Sequence, residues 1–381
     1  MSSIADPDIA LLADLVAIDS VNPSLIAGAR GEEPVARRIA AELDAIGCSI
    51  EVTYVAEDRP NVVGVLNGRE PGRTLLLCGH TDTVGVEGMA RPFAPDIRDG
   101  RLYGRGAQDM KGGLAAIIGA ARRAVENGGL ARGRLIVAAV ADEEHSSLGA
   151  DALVRQWRAD AAVVTEPTGL EVAVCHKGFQ WVEVQTYGRA AHGSRPGEGR
   201  DAILRMGRVL QRLEALDRHL QGGRSHPLLG AASLHASLVD GGHELSSYPA
   251  RARLRFERRT LPGESDDAAL TEARDILDAL RRDDAEFEGD ASMLFGRAGY
   301  EIDPANPLPD MLVHAAATVG LTPARVGMSF WTDAAILSAA GIPSVLFGPG
   351  GAGLHSREEY VIVDDVCRCR DALAALVAAF V

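Results

Sequence analysis

The chain has 381 residues, 46% hydrophobic and 24% charged, which is ordinary globular usage and excludes a disordered, collagen-like or disulfide-stapled chain. Its 39 basic residues face 53 acidic ones, a formal net charge of −14, and phosphate contacts need the opposite balance, so neither nucleic acid nor an anionic membrane is an expected partner. The five cysteines are scattered, no run of about 18 apolar residues appears, and the first residues lack a leader pattern, so the expectation is a cytoplasmic protein.

Residues 32–47 place apolar side chains at helical spacing and stop at Gly47. SIEVTYV, VVGVLN and TLLLCGH then read as strands. Residues 113–126 predict a strong helix ended by Asn127-Gly128-Gly129. RLIVAAVADEE and AAVVTEPT are buried strands that run into acids. Apolar strands alternating with helices predict an α/β domain, a mostly parallel sheet flanked by helices. Near residue 177 the pattern changes to half-exposed strands (FQWVEVQTYG, ASLHASLVDG, ARARLRFERRTL) and two amphipathic helices, which reads as a small α+β domain. From about residue 295 the first pattern returns. The expected organisation is therefore a catalytic domain, 1–176 and 295–381, interrupted by a smaller domain, 177–294.

Active sites of open α/β sheets lie at the carboxyl ends of strands, and here several strand ends carry metal-ligand side chains. TLLLCGH ends in His80-Thr81-Asp82, AAVADEE in Asp142-Glu143-Glu144, and AAVVTEPT at Glu166. SVLFGPGGAGLHSREEY delivers His355 beyond a glycine loop, and Asp109 precedes a helix in YGRGAQDMKGG. A lone strand-end histidine is usually packed or solvated, and paired acids usually mark a solvated turn. Acids directly after six apolar strand residues are different, because buried charge is costly unless paired or metal-bound. Imidazole and carboxylate together suit a borderline divalent ion such as Zn²⁺.

GHTDTV, YGRGAQDMKGG, ADEEHSS, TEPT, AAHGSRP, RTLPGE and FGPGGAGLHSREEY, in this order, resemble the dizinc family of aminoacylases, acetylornithine deacetylases, succinyl-diaminopimelate desuccinylases and glutamate carboxypeptidases (peptidase family M20). NPS near residue 22 and FGPGG…H-x-x-x-EY resemble the acetylornithine deacetylase branch most. The resemblance implies two divalent metals, Zn²⁺ with Co²⁺ or Mn²⁺ as alternatives. His80 and His355 would each ligate one, Asp109 would bridge both, and Glu144 and Glu166 would complete the set. Glu143 would be the general base, Asp82 would orient His80, and the peptide after Asp109 would be cis. The inserted domain would act as lid and homodimerisation domain, with His192 stabilising the oxyanion and Arg259 binding the substrate carboxylate.

Arg251, Arg253, Arg255 and Arg258 leave the register of that arginine open. Lys177, Ser246, Gly350 and Gly351 are further substrate-binding candidates. Of the 39 basic residues only Lys111 and Lys177 are lysines, both in motif segments. Ser246 stands where the family often has Asn, and Ala335 where the desuccinylase branch carries Arg, which lowers that activity; Thr332-Asp333-Ala334-Ala335 resembles the carboxypeptidase branch. The expected activity is hydrolysis of an N-acyl amino acid. The alternatives are a glutamate carboxypeptidase-type exopeptidase on the same centre, less favoured a desuccinylase, and, from another class, a non-catalytic metal-binding protein.

Overall fold

The computed structural model describes residues 6–381. The chain divides into two compact units. One runs to Val174 and resumes over Ile302–Val326 and Thr332–Val381; the other is Cys175–Glu301 with Gly327–Trp331. Gly327–Trp331, which the sequence pattern puts with the larger domain, groups with the smaller one.

The first unit is built on a mixed sheet whose strand order is Ser49–Ala56, Arg59–Asn67, Arg132–Val140, Glu70–His80, Ala161–Val164, Ser344–Leu346 and Val172–His176. Its centre, from Arg132–Val140 to Ser344–Leu346, is parallel. The flanks are antiparallel. At one flank the reason is local: only Glu57 and Asp58 separate Ser49–Ala56 from Arg59–Asn67, and a two-residue connection can only make a hairpin. The central strands are buried on both faces, Leu75–Cys78 and Leu135–Val140 almost completely, which is why they read as continuous apolar runs. Helix Gly112–Glu126 packs against Val363–Phe380 and Pro7–Ala17. A Cβ at Gly113 would lie 2.2 Å from the Thr165 carbonyl, so only glycine lets this helix start against the strand end that precedes Glu166.

The second unit is a four-stranded antiparallel sheet, in the order Ser233–Gly241, Arg251–Thr260, Gly178–Tyr187, Glu288–Arg297. Helices Ala202–Gly222 and Ala268–Asp283 cover one face, and Val182, Val184, Met206, Leu254, Phe256 and Leu277 form the core between. The Glu288–Arg297 strand crosses the boundary expected at 294. It is an edge strand whose first inward positions are Gly289 and Ala291, so its alternation carries little apolar signal. Among the described residues no helix is long and apolar enough to cross a membrane.

Candidate active site

Parallel strands bring their carboxyl ends to one edge of the first unit's sheet. His80 to Asp82, Asp142 to Glu144, and Glu166 follow three adjacent strands, and the loop after Ser344–Leu346 leads to His355. Asp109 sits in the tight turn Ala107–Lys111 that opens helix Gly112–Glu126, and the Asp109–Met110 peptide is cis, as the resemblance implies.

The side chains converge. His80 Nδ1 lies 3.0 Å from the Asp82 carbonyl oxygen, which can only accept, so Nδ1 carries a proton and Nε2 is the ring nitrogen turned to the acids. That Nε2 is 3.0 Å from Asp109 Oδ1 and 4.0 Å from Glu166 Oε1. His355 Nε2 is 3.3 Å from Asp109 Oδ2 and 3.1 Å from Glu144 Oε2. One carboxylate, Asp109, therefore stands between two imidazoles. Ligand atoms of His80, Asp109 and Glu144, and again of His80, Glu143 and Glu166, lie within 4.8 Å of one another.

These buried charges do not balance. Burial first, then neighbouring carboxylates, pushes Glu143 and Glu166 well above the usual carboxylate range, and Glu144 up to about 7. Against the same burial, hydrogen bonds from His355 and His80 hold Asp109 far below its ordinary value. Hydrogen bonds to Asp109 and Glu144 push His355 up to about 10. Glu144 Oε1 and Glu166 Oε1 are buried with no hydrogen-bond partner among the described residues. Orphaned oxygens in a cluster with surplus negative charge fit divalent cations, and the N/O donor set fits Zn²⁺.

The cluster rests on residues that carry no spacing signal. The Asp82 carboxylate accepts from the backbone N–H groups of Glu143 and Glu144, both at 3.1 Å, and from Asn22 Nδ2 at 2.8 Å. Asp82 thus faces His80 Nδ1 with its carbonyl and, at 3.5 Å, with its carboxylate Oδ1, and the same carboxylate fixes the two glutamates. The same Asn22 amide donates to Asp142 Oδ1 at 3.0 Å. Arg59 Nη1 reaches that oxygen at 2.8 Å and its guanidinium pairs with buried Glu32. Asn22 belongs to the NPS segment already singled out; Arg59 and Glu32 do not belong to any motif. Asp333 is close enough to help raise Glu143 and Glu166, which brings the TDAA segment to the centre through its acid. Lys111 is fully buried, its Nζ bonded to the Ile18 carbonyl at 2.8 Å, and burial lowers it to about 7.

Gly350 and Gly351 also lie in this unit, but not as expected of ligand-facing glycines. The Gly350 N–H donates to Asp365 at 3.1 Å and Gly351 pairs with Val361. A Cβ at Gly351 would meet the Tyr360 carbonyl at 2.2 Å, so close packing accounts for this glycine.

The remaining candidates lie in the second unit. His192 is exposed; its Nδ1 lies 2.8 Å from Ser194 Oγ and accepts from the Ser194 N–H at 3.2 Å, which leaves the proton of the neutral ring on Nε2. Ser246 is beside it, its carbonyl accepting from Gly193 N–H at 2.7 Å, and Ser247 bridges to His192. Alternation along the strand sets Arg258 apart from the other arginines. Arg258 points into the core, 2% exposed, and is saturated by Glu264 and Glu272. Arg259, on the opposite face, has one carboxylate partner, Glu257 Oε1 at 2.6 Å, and a partly exposed side chain. Lys177 Nζ bonds the Ala231 carbonyl at 2.6 Å, and burial and then Arg259 lower its pKa.

Residues 76–379 match the model of peptidase family M20/M25/M40. The chain is 32% identical to an acetylornithine deacetylase of Myxococcus xanthus over 97% of both chains. It is 28% identical to the N-formyl-4-amino-5-aminomethyl-2-methylpyrimidine deformylase of Bacillus subtilis, over 89% of this chain and 87% of that one. A solved dinuclear metal-binding peptidase of the M20 family from Bacillus subtilis superposes with a TM-score of 0.75 at 17% identity, over 98% of each chain.

Proposed function

The chain belongs to peptidase family M20/M25/M40, and from that premise we propose that it hydrolyses the amide bond of an N-acyl amino acid, as an acetylornithine deacetylase does. The observation that carries this reading is the Asp109 carboxylate set between His80 and His355, with orphaned oxygens on Glu144 and Glu166 and with Glu143 beside them.

In this reading His80, Asp109, Glu144, Glu166 and His355 hold two divalent ions, Zn²⁺ by donor chemistry, with Co²⁺ or Mn²⁺ as alternatives. Such ions, when bound, polarise a carbonyl and lower the pKa of water. Glu143 accepts the proton of the attacking water and returns it to the leaving nitrogen. Burial raises its pKa, the direction that favours holding the proton between the two halves of that transfer. His192 offers its Nε2–H to the developing oxyanion. Arg259 takes the substrate carboxylate; Arg258 has no free donor for it. Lys177 and Ser246 are the further substrate-binding residues of this reading, and the second unit is its lid and dimerisation domain.

A homodimer fits the outermost strand of that unit, Ser233–Gly241, where Leu238 and Val239 are 61% and 63% exposed on an unpaired edge. Light scattering at twice the chain mass supports it; a monomer refutes it.

The exopeptidase reading keeps one specific support, the acid of TDAA at the centre. The two are separated by kcat/KM on metal-loaded protein for N-acetyl-ornithine, N-formyl, other N-acetyl and N-succinyl amino acids, and C-terminal glutamate dipeptides. Preference for an N-acyl amino acid supports the proposal, and preference for the dipeptides overturns it. Turnover of none favours a non-catalytic metal-binding protein.

A further inference from the structure

The last residues of the H-x-x-x-EY motif have no part in the chemistry above, yet Glu359 lies directly behind it. The side chain is 1% exposed. Its Oε1 accepts the N–H groups of Gln108 at 2.9 Å and Asp109 at 3.1 Å. Its Oε2 accepts Gly106 N–H at 3.1 Å and Arg105 Nη1 at 2.6 Å. All four partners are donors, the set that a carboxylate accepts. Arg105, 3% exposed, extends the contact: Nη2 donates to the Ser356 carbonyl at 3.0 Å and Nε to the Gly85 carbonyl at 3.1 Å.

We propose that Glu359 is a positioning residue for the metal centre, a buried carboxylate that gathers the backbone around Asp109 and, through Arg105, ties it to the loop carrying His355. The inference rests on the metal reading above. Asp109 can face two imidazoles only if its backbone is fixed independently of them, and the three N–H groups on Glu359 do that. Ser356 follows His355 directly, so the Arg105 bond sets the spacing between the bridging carboxylate and the second imidazole.

Cobalt titration tests this, because Co²⁺ reports binding and geometry without turnover. In Glu359→Gln an amide NH₂ replaces one acceptor and faces N–H donors, so the cradle breaks while the volume stays. The expected result is a second equivalent of Co²⁺ weakened roughly 10–100-fold, the cost usual for losing an outer support of a metal ligand. The visible spectrum changes, and kcat falls with KM nearly unchanged. Arg105→Gln leaves the N–H cradle in place and cuts the tie to Ser356, so its loss is smaller and falls on the second equivalent alone; it decides the matter where Glu359→Gln does not fold. Wild-type affinity and spectrum in the folded variants, whatever their Tm, overturn the proposal and leave Glu359 a packing residue. A wild-type protein that takes up fewer than two equivalents overturns the metal reading, and this inference with it.

Discussion

The strand-end acids of the first unit and the Arg258 cluster of the second treat buried charge in opposite ways. In the first, Glu143, Glu144 and Glu166 are crowded together, pushed up by burial and by one another, and two of them keep oxygens without hydrogen-bond partners among the described residues. In the second, buried Arg258 is matched by Glu264 and Glu272, and at the surface Arg253 pairs with Asp240 at 2.9 Å and Arg255 with Glu183 at 2.8 Å. Glu183 is held below its ordinary value by hydrogen bonds from Arg255 and Gln185. A balanced cluster is complete by itself and is structural. An unbalanced one is complete only with a cation, so the imbalance marks the working site.

The largest expected effect sharpens this contrast at its centre. Glu143→Ala should lower kcat by about 10²–10⁴-fold, the usual worth of a general base, while metal content stays at the wild-type level. Lost metal would make Glu143 a ligand instead. Arg258→Ala should cost about 3 kcal/mol in urea unfolding, because it strands two partly buried carboxylates. A loss under 1 kcal/mol would mean that the balanced cluster is dispensable.

Metal removal comes next. Glu144 rises from 4.5 to about 7, so its contribution is full below pH 4.5 and is lost as pH climbs through 7. His355 rises from 6.5 to about 10, so its contribution is full below 6.5 and is lost as pH climbs through 10. Stripped protein should therefore lose stability as pH rises from about 5 toward 10. Loaded protein has the carboxylates ionised on metal, so the gap in Tm between the two forms should widen with pH. A gap independent of pH would mean that the carboxylates are not uncompensated. The smallest effect belongs to the surface: Arg253→Ala should change stability by less than about 1 kcal/mol, measured by the same unfolding.

Much of the centre was legible because each ligand-type residue ends a strand or opens a helix, and strand ends can be read from an apolar run that stops at an acid. The two-unit pattern was legible from the change in periodicity near residue 177. What escaped was of other kinds. Arg59, Glu32 and Glu359 act through contacts with residues far away in sequence, and a buried ion pair leaves no period to detect. Gly350 looked ligand-facing because a glycine loop suits an anion; its N–H is in fact held by Asp365, a partner fifteen residues on. Strand Glu288–Arg297 hid because its first inward side chains, Gly289 and Ala291, are too small to mark an apolar face. Alternation did settle Arg258 against Arg259 once the strand had a known inner face.

The chain has only two lysines, and both amines are already engaged: Lys111 is sealed inside against Ile18, and half-buried Lys177 holds the Ala231 carbonyl. Nearly all of the protein's surface cation is therefore guanidinium, which acyl donors do not modify. A protein proposed to cut acyl groups from amino nitrogens thus offers almost no acylatable side-chain nitrogen of its own. Reactive thioesters and amine-directed cross-linkers should leave its charge pattern and its shape unchanged.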